Sequence, residues 1–192
     1  MLFKSKSFFA FLLILSFSFF LMNISCKIST ELEGMWQDSC QQVLQDGDLK
    51  NQITTFIFSG DTVKIERIDY QDKNCNTKFS SLVLTCTFII SDESDIIPGA
   101  KNLDYTVISV AATFHNKVGV NIVNQMNFCG YSDWQVNVTK DITGAPGLNS
   151  KGDKLFEICK IEDGNKLYIG SNEAIGSPTR PASFRSFYAT KQ

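Results

Sequence analysis

The sequence predicts an all-β domain, a barrel or sandwich of eight or nine short antiparallel strands with at most one helix. Three observations carry this expectation. Almost every stretch after residue 34 alternates apolar and polar side chains over short runs. Clusters of Gly, Pro, Asn, Asp and Ser separate those runs, as turns require. Only one segment carries apolar residues at helical spacing, and no internal repeat or low-complexity tract points to a propeller or solenoid.

The first segment is not part of that domain. Lys4 and Lys6 make a short basic start, and Phe8 to Met22 then run without a charge. That apolar stretch is shorter than the roughly 20 residues of a membrane span and suits a secretory leader. Residues 1–25 are therefore expected to be a signal peptide, 26–33 a tether and 34–192 the folded domain. Cleavage before Cys26 leaves 167 residues, enough for one domain with a core and short for two.

The strands follow in order. The stretch ITTFIFSGDTVKIERIDY, residues 53–70, reads as two strands joined by a tight turn at Ser59-Gly60-Asp61. SLVLTCTFII, residues 81–90, places Leu82, Leu84, Cys86, Phe88 and Ile90 on one face. DYTVISVAAT, residues 104–113, is a strand of less clear sidedness. In NKVGVNIVNQMNFCG, residues 116–130, Val118, Ile122 and Met126 recur at helical spacing, and Gly130 is placed to end a helix. Val118, Val120 and Ile122 also alternate, so a strand stays open there. SDWQVNVT, residues 132–139, reads as a strand with Trp134, Val136 and Val138 on one face. A hairpin turned at Asp163-Gly164-Asn165 and a final strand, SFRSFYAT, complete the chain.

Composition removes several function classes. The formal charge of −2 becomes −4 without the leader's two lysines, and no basic cluster is present. Nucleic acid is not expected as a partner, nor docking on anionic lipid through a polybasic face. Six cysteines are compatible with an oxidising compartment. They form no CxxC pair, and His115 is the only histidine, so no zinc or thioredoxin-like site is expected. No Ser or Cys triad, metal-binding HExxH or phosphate loop can be read, and no cofactor or catalytic residue is expected. A pair of carboxylates meeting only in space would escape such a reading.

Two stretches carry a resemblance. Asn23-Ile24-Ser25-Cys26 resembles a bacterial lipobox of the relaxed spirochaete kind, which implies that Cys26 becomes the lipid-modified N-terminal residue. The alternative is a plain signal peptide cut nearby, with Cys26 free to pair. With Lys27 next to the cysteine, the enterobacterial sorting rule implies the outer membrane. Gly34-x-Trp36 resembles the opening of the first strand in lipocalin and avidin barrels. There the glycine turns the chain under the floor, the tryptophan plugs it, and an arginine from near the terminus packs over the ring. Arg185 is the implied partner. The order of an early Trp and Cys, Asp72-x-x-Cys75, Cys129-Gly130 before a Trp strand and Arg180-Pro181 is similar to small lipocalin-like bacterial lipoproteins. The resemblance implies a single up-and-down lipocalin-like barrel. The Thr-Asp-Tyr motif of lipocalins proper is missing.

In such a barrel the first and third strands run the same way, so Cys40 and Cys75 reach one rim and are expected to bond. Cys129–Cys159 is the second expected bridge, with Cys86 a free thiol packed on its apolar face. A bridge from Cys86 to Cys129 or Cys159 is the rival.

Three functions stay open. One is carriage of a small apolar ligand inside the barrel. Trp36, Phe56, Phe58, Val63 and Leu84 would line it, together with Phe88, Trp134, Phe156 and Tyr188. A second is an adhesin-like interaction module that binds host or envelope proteins, the barrel being filled by its own side chains. The third is an inhibitor that blocks an enzyme with one loop.

Overall fold

The computed structural model describes residues 31–45, 48–94, 97–171 and 179–192. The leader and Cys26 lie outside the described residues. Among the described residues ten strands form: β1 (Gly34–Gln37), β2 (Gln41–Gln45), β3 (Asp48–Ser59), β4 (Thr62–Tyr70), β5 (Lys78–Glu93), β6 (Lys101–Phe114), β7 (Thr139–Asp141), β8 (Lys154–Glu162), β9 (Lys166–Ile169) and β10 (Ala189–Lys191). Helix α1 spans Lys117–Gln125. Every pairing is antiparallel, and β1 pairs both β3 and β10. That closes eight strands, β1-β3-β4-β5-β6-β8-β9-β10, into a barrel compatible with the lipocalin-like architecture. Strands β2 and β7 lie outside it, on β3 and β6.

Both tight turns form as the sequence implies. Gly60 and Asp61 join β3 to β4, and Asp163 to Asn165 join β8 to β9. The unclear sidedness of β6 has a local cause. Its register to β5 shifts between Cys86↔Val107 and Thr85↔Ser109, so Ile108 bulges out. Leu103, Tyr105 and Val107 face inward before the bulge, and Val110, Ala112 and Phe114 after it.

One end of the barrel is the floor. Gly34 sits there at φ +109, a backbone that favours glycine. Trp36 beyond it is fully buried, and its indole N–H donates to the Leu32 carbonyl at 2.7 Å. The cation over that ring is Lys191, with Nζ 5.1 Å from the centroid, and not the expected Arg185. The reason is register. The last strand is only Ala189–Lys191, and Lys191 lies opposite Trp36. Phe184 makes a single bridge to Gly170, so Arg185 is off the final strand.

The opposite rim holds α1 and the second tryptophan. Asn116 caps the helix, its side chain accepting from the Gly119 N–H at 2.7 Å. Asn127, at φ +50, follows its end, ahead of Gly130. The helix is present but turned. Gly119, Val120 and Val123 are buried, whereas Val118, Ile122 and Met126 are exposed. A side chain at 119 would meet the Phe79 ring at 3.1 Å, so backbone packs there and the apolar stripe faces outward. The expected strand 132–139 is a loop until Thr139. Asn124 takes both backbone groups of Trp134, accepting its N–H at 2.7 Å and donating to its carbonyl at 3.1 Å. No ladder can use them. Trp134 still packs inward, edge-to-face on Phe114 at 5.0 Å.

The Cys40–Cys75 bridge forms at this rim, with Cα atoms 5.9 Å apart. Cys86 is free and buried, as expected. Cys129 and Cys159 are also free thiols, which corrects the second expected bridge. Cys159 lies opposite Lys101 at the start of β6, whereas Cys129 follows α1 beyond its end at Phe114. A 14-residue strand separates the two by roughly 40 Å.

Candidate functional site

Six of the nine expected lining residues meet inside the barrel. Trp36, Phe56, Phe58, Val63, Leu84 and Phe88 are all buried. The rings interlock, Phe58 standing edge-on to Phe88 at 5.1 Å. Trp134 belongs to the rim cluster with Phe114, Phe128 and Tyr131. Phe156 and Tyr188 correct the expectation, because neither is buried. Alternation along β8 turns Leu155, Glu157 and Cys159 inward and leaves Phe156 half-buried beneath Arg180, at 5.4 Å. Tyr188 is exposed and stacks near Tyr168 at 5.5 Å.

The interior also holds a polar cluster that the sequence reading did not assemble. Asp38 and Glu157 are buried carboxylates, and Arg185 stands near both. Burial pushes Asp38 up to about 6, against the pull of the Thr54 N–H, which donates to Oδ1 at 2.7 Å, and of Arg185. Burial likewise pushes Glu157 up to about 7, opposed by the Ile158 N–H at 3.1 Å, by Arg185 and by Arg180. Gly170 makes room for that carboxylate, since a Cβ there would stand 2.0 Å from Oε1. Tyr105 is held far above its usual range by burial and then by Glu157. Among the described residues its hydroxyl, Asp38 Oδ2 and Thr54 Oγ1 have no hydrogen-bond partner. The signal for Glu157 was legible, for it shares a strand face with Leu155 and Cys159. Asp38 carried no such signal, because it follows the end of β1.

This cluster has little room for chemistry on a substrate. The cavity between Asp38, Arg185, Phe56 and Phe187 has a volume of about 10 Å³, the space of one water. Burial raises the Cys86 and Cys159 thiols to about 12, which keeps them protonated and unreactive. Among the described residues no group of three metal-ligating side chains occurs.

A larger space lies at the far rim. A groove of about 360 Å³ is lined by Leu49, Lys50, Asn51, Asp69, Tyr70, Gln71 and Phe79, where β3 begins, β4 ends and β5 begins. The adjoining loop is held from within. The Asp72 carboxylate accepts the N–H groups of Thr77 at 2.6 Å, Asn76 at 3.1 Å and Asn74 at 3.0 Å, and these hold it below the usual carboxylate range. The Cys40–Cys75 bridge ties the same loop to the segment after β1. His115 bonds Asn137 at 2.8 Å and Ser81 at 3.2 Å near this rim.

No protein-family model matches the chain, and no curated protein matches it either.

Proposed function

We propose that this chain is an exported, lipid-anchored binding module of the adhesin-like kind, in which the barrel is a scaffold and a host or envelope partner is bound at the rim away from the tether. One observation supports the reading: Trp36, Phe58, Val63, Cys86 and Leu103, which point into the barrel, are at 1 % exposure or less. Carriage of one small apolar ligand is compatible with a β-barrel. It requires interior volume, and the cavity beside Asp38 admits a single water. The same crowding favours a binding protein over an enzyme.

Export and the anchor are supported by the leader and by Cys26 in its lipobox-like setting. Gly34, just after the expected tether, lies at the floor, and the groove, the disulfide and α1 lie at the opposite end, which supports a partner bound away from the anchor.

The protein purified from a bacterial envelope tests this in two steps. Mass spectrometry should find acyl mass on an N-terminal Cys26 peptide and no stoichiometric small ligand on the native protein. Photo-crosslinkers at Gln71 and Ile122, on the far rim, should then trap a partner in whole envelopes or with host cells, and one at Asp163, in the floor hairpin, should not. A co-purifying apolar ligand, or adducts only from Asp163, would overturn the reading.

A further inference from the structure

We propose that the rim groove is a binding site for a carboxylated sugar ring, a hexuronic acid or a similar acidic pyranose, free or at the end of a glycan. The inference rests on the reading that binding occurs at the rim, and it names the chemistry of what is bound.

The volume of about 360 Å³ lies within the range of small-ligand sites, roughly 300–1,000 Å³. Two aromatic rings, Tyr70 and Phe79, line it. The register between β4 and β5 shifts at Asp69/Tyr70, pairing Asp69 with Ser80 and Tyr70 with Lys78. Phe79 is left as the extra residue of a bulge, a device that re-aims a side chain. The closeness of Gly119 to its ring then fixes Phe79 in place. An aromatic face carries negative charge density and attracts the polarised C–H groups of a pyranose. Asn51 and Gln71 bring one amide each, able to donate and accept toward neighbouring hydroxyls.

Charge decides which sugar. Asp69 already has company: Ser80 donates to it at 3.2 Å, and Arg67 lies 3.7 Å away. Lys50 makes no ion pair among the described residues. The groove thus holds Lys50, in no ion pair among the described residues, beside two rings, two amides and an Asp69 carboxylate already engaged by Ser80 and Arg67. A carboxylate on a pyranose ring answers that cation while its ring covers the aromatics. A neutral sugar leaves the lysine unanswered, and a simple carboxylate leaves the rings bare.

Ligand-observed saturation-transfer NMR on the lipidated protein in detergent micelles tests this, with methyl glucuronide, methyl glucoside and propionate as probes and a uronate oligosaccharide as the glycan arm. The glucuronide should bind in the millimolar range, with the strongest transfer to ring C–H groups, and the glucoside and propionate about tenfold more weakly. Lys50→Met should erase the preference for glucuronide over glucoside. Tyr70→Ala should remove transfer from both sugars, with the Cys40–Cys75 bridge and the circular dichroism spectrum as checks of folding. Tighter binding of the oligosaccharide with the same sensitivity to Lys50→Met assigns the site to a glycan terminus, and equal binding to the free acid. Equal affinity for glucuronide and glucoside, or glucuronide binding that survives Lys50→Met and Tyr70→Ala, would overturn the proposal. So would no binding of any uronate probe. Crosslinks from the far rim do not depend on the sugar, so this assignment and the rim reading fail separately.

Discussion

Glu157→Gln should make the protein more stable than wild type at pH 8 and leave it nearly unchanged at pH 4. Glu157 is 2 % exposed, and burial holds its ionisation at about 7 against an ordinary 4.5. The folded protein thus binds that proton more tightly than the unfolded chain. The associated stability is fully present below pH 4.5 and is lost as pH rises through about 7. At about 1.4 kcal/mol per pH unit, the whole span is worth on the order of 3 kcal/mol. The amide of the variant keeps an oxygen for the Ile158 N–H and never ionises, so it lacks the loss. For a chain of this size the difference is roughly 10 °C in Tm at pH 8. Asp38 contributes a slope of the same sign between 3.8 and about 6, which the variant retains. Urea melts of both proteins at half-unit steps from pH 4 to 8.5 measure the effect. If the two curves stay parallel from pH 4.5 to 7, Glu157 does not carry its proton into the fold and the account of the interior cluster fails.

Two other outcomes follow from the floor and the rim. Trp36→Ala should cost about 3–5 kcal/mol, since it empties the space of a fully buried ring. Lys191→Ala, which only uncovers the outer face of that ring, should cost about 0.5–1 kcal/mol. Equal effects in denaturant melts would remove the floor-plug argument. Replacing Cys40 and Cys75 together by Ser should lower stability by about 3–4 kcal/mol, because their bridge closes a separation of 35 residues. Non-reducing peptide mapping should link those two cysteines alone and leave Cys86, Cys129 and Cys159 open to alkylation after unfolding. A Cys75 peptide joined to any other cysteine would refute the rim geometry.

What the sequence made legible was whatever depends on neighbours in the chain. The alternation of Leu84, Cys86 and Phe88 survives into β5, and Gly60 and Gly164 make the turns they imply. The Cys40–Cys75 pairing was also reachable, since it needs only the direction of two strands. Misreadings arose where a distant partner decides. Val118, Ile122 and Met126 are as apolar as Val120 and Val123, and the face that carries Gly119, close against Phe79, is the one buried. Trp134 sits in an alternating stretch, yet one asparagine ten residues earlier captures its backbone. Arg185 lost the place over Trp36 to Lys191 because β10 begins four residues later, a register that no local pattern encodes. The polar interior was half visible. Glu157 announced itself by its strand face, whereas Asp38 and Arg185 lie outside strands and join the cluster only once the barrel closes.

The closing seam joins the two extremes of the chain. The Thr190 hydroxyl bonds the Gln37 carbonyl across 153 residues of sequence, and the Gln192 N–H bonds the Met35 carbonyl at 2.9 Å. A ribosome delivers β1 first and β10 last, so the first strand waits with one edge unpaired until the final three residues of the ladder arrive. Loss of the last few residues would leave an open sheet with two sticky edges, the form most prone to joining a second molecule. The start of β1 and the end of β10 also lie at the same end of the barrel. A reporter fused after Gln192 would therefore stand beside Gly34, at the floor of the barrel.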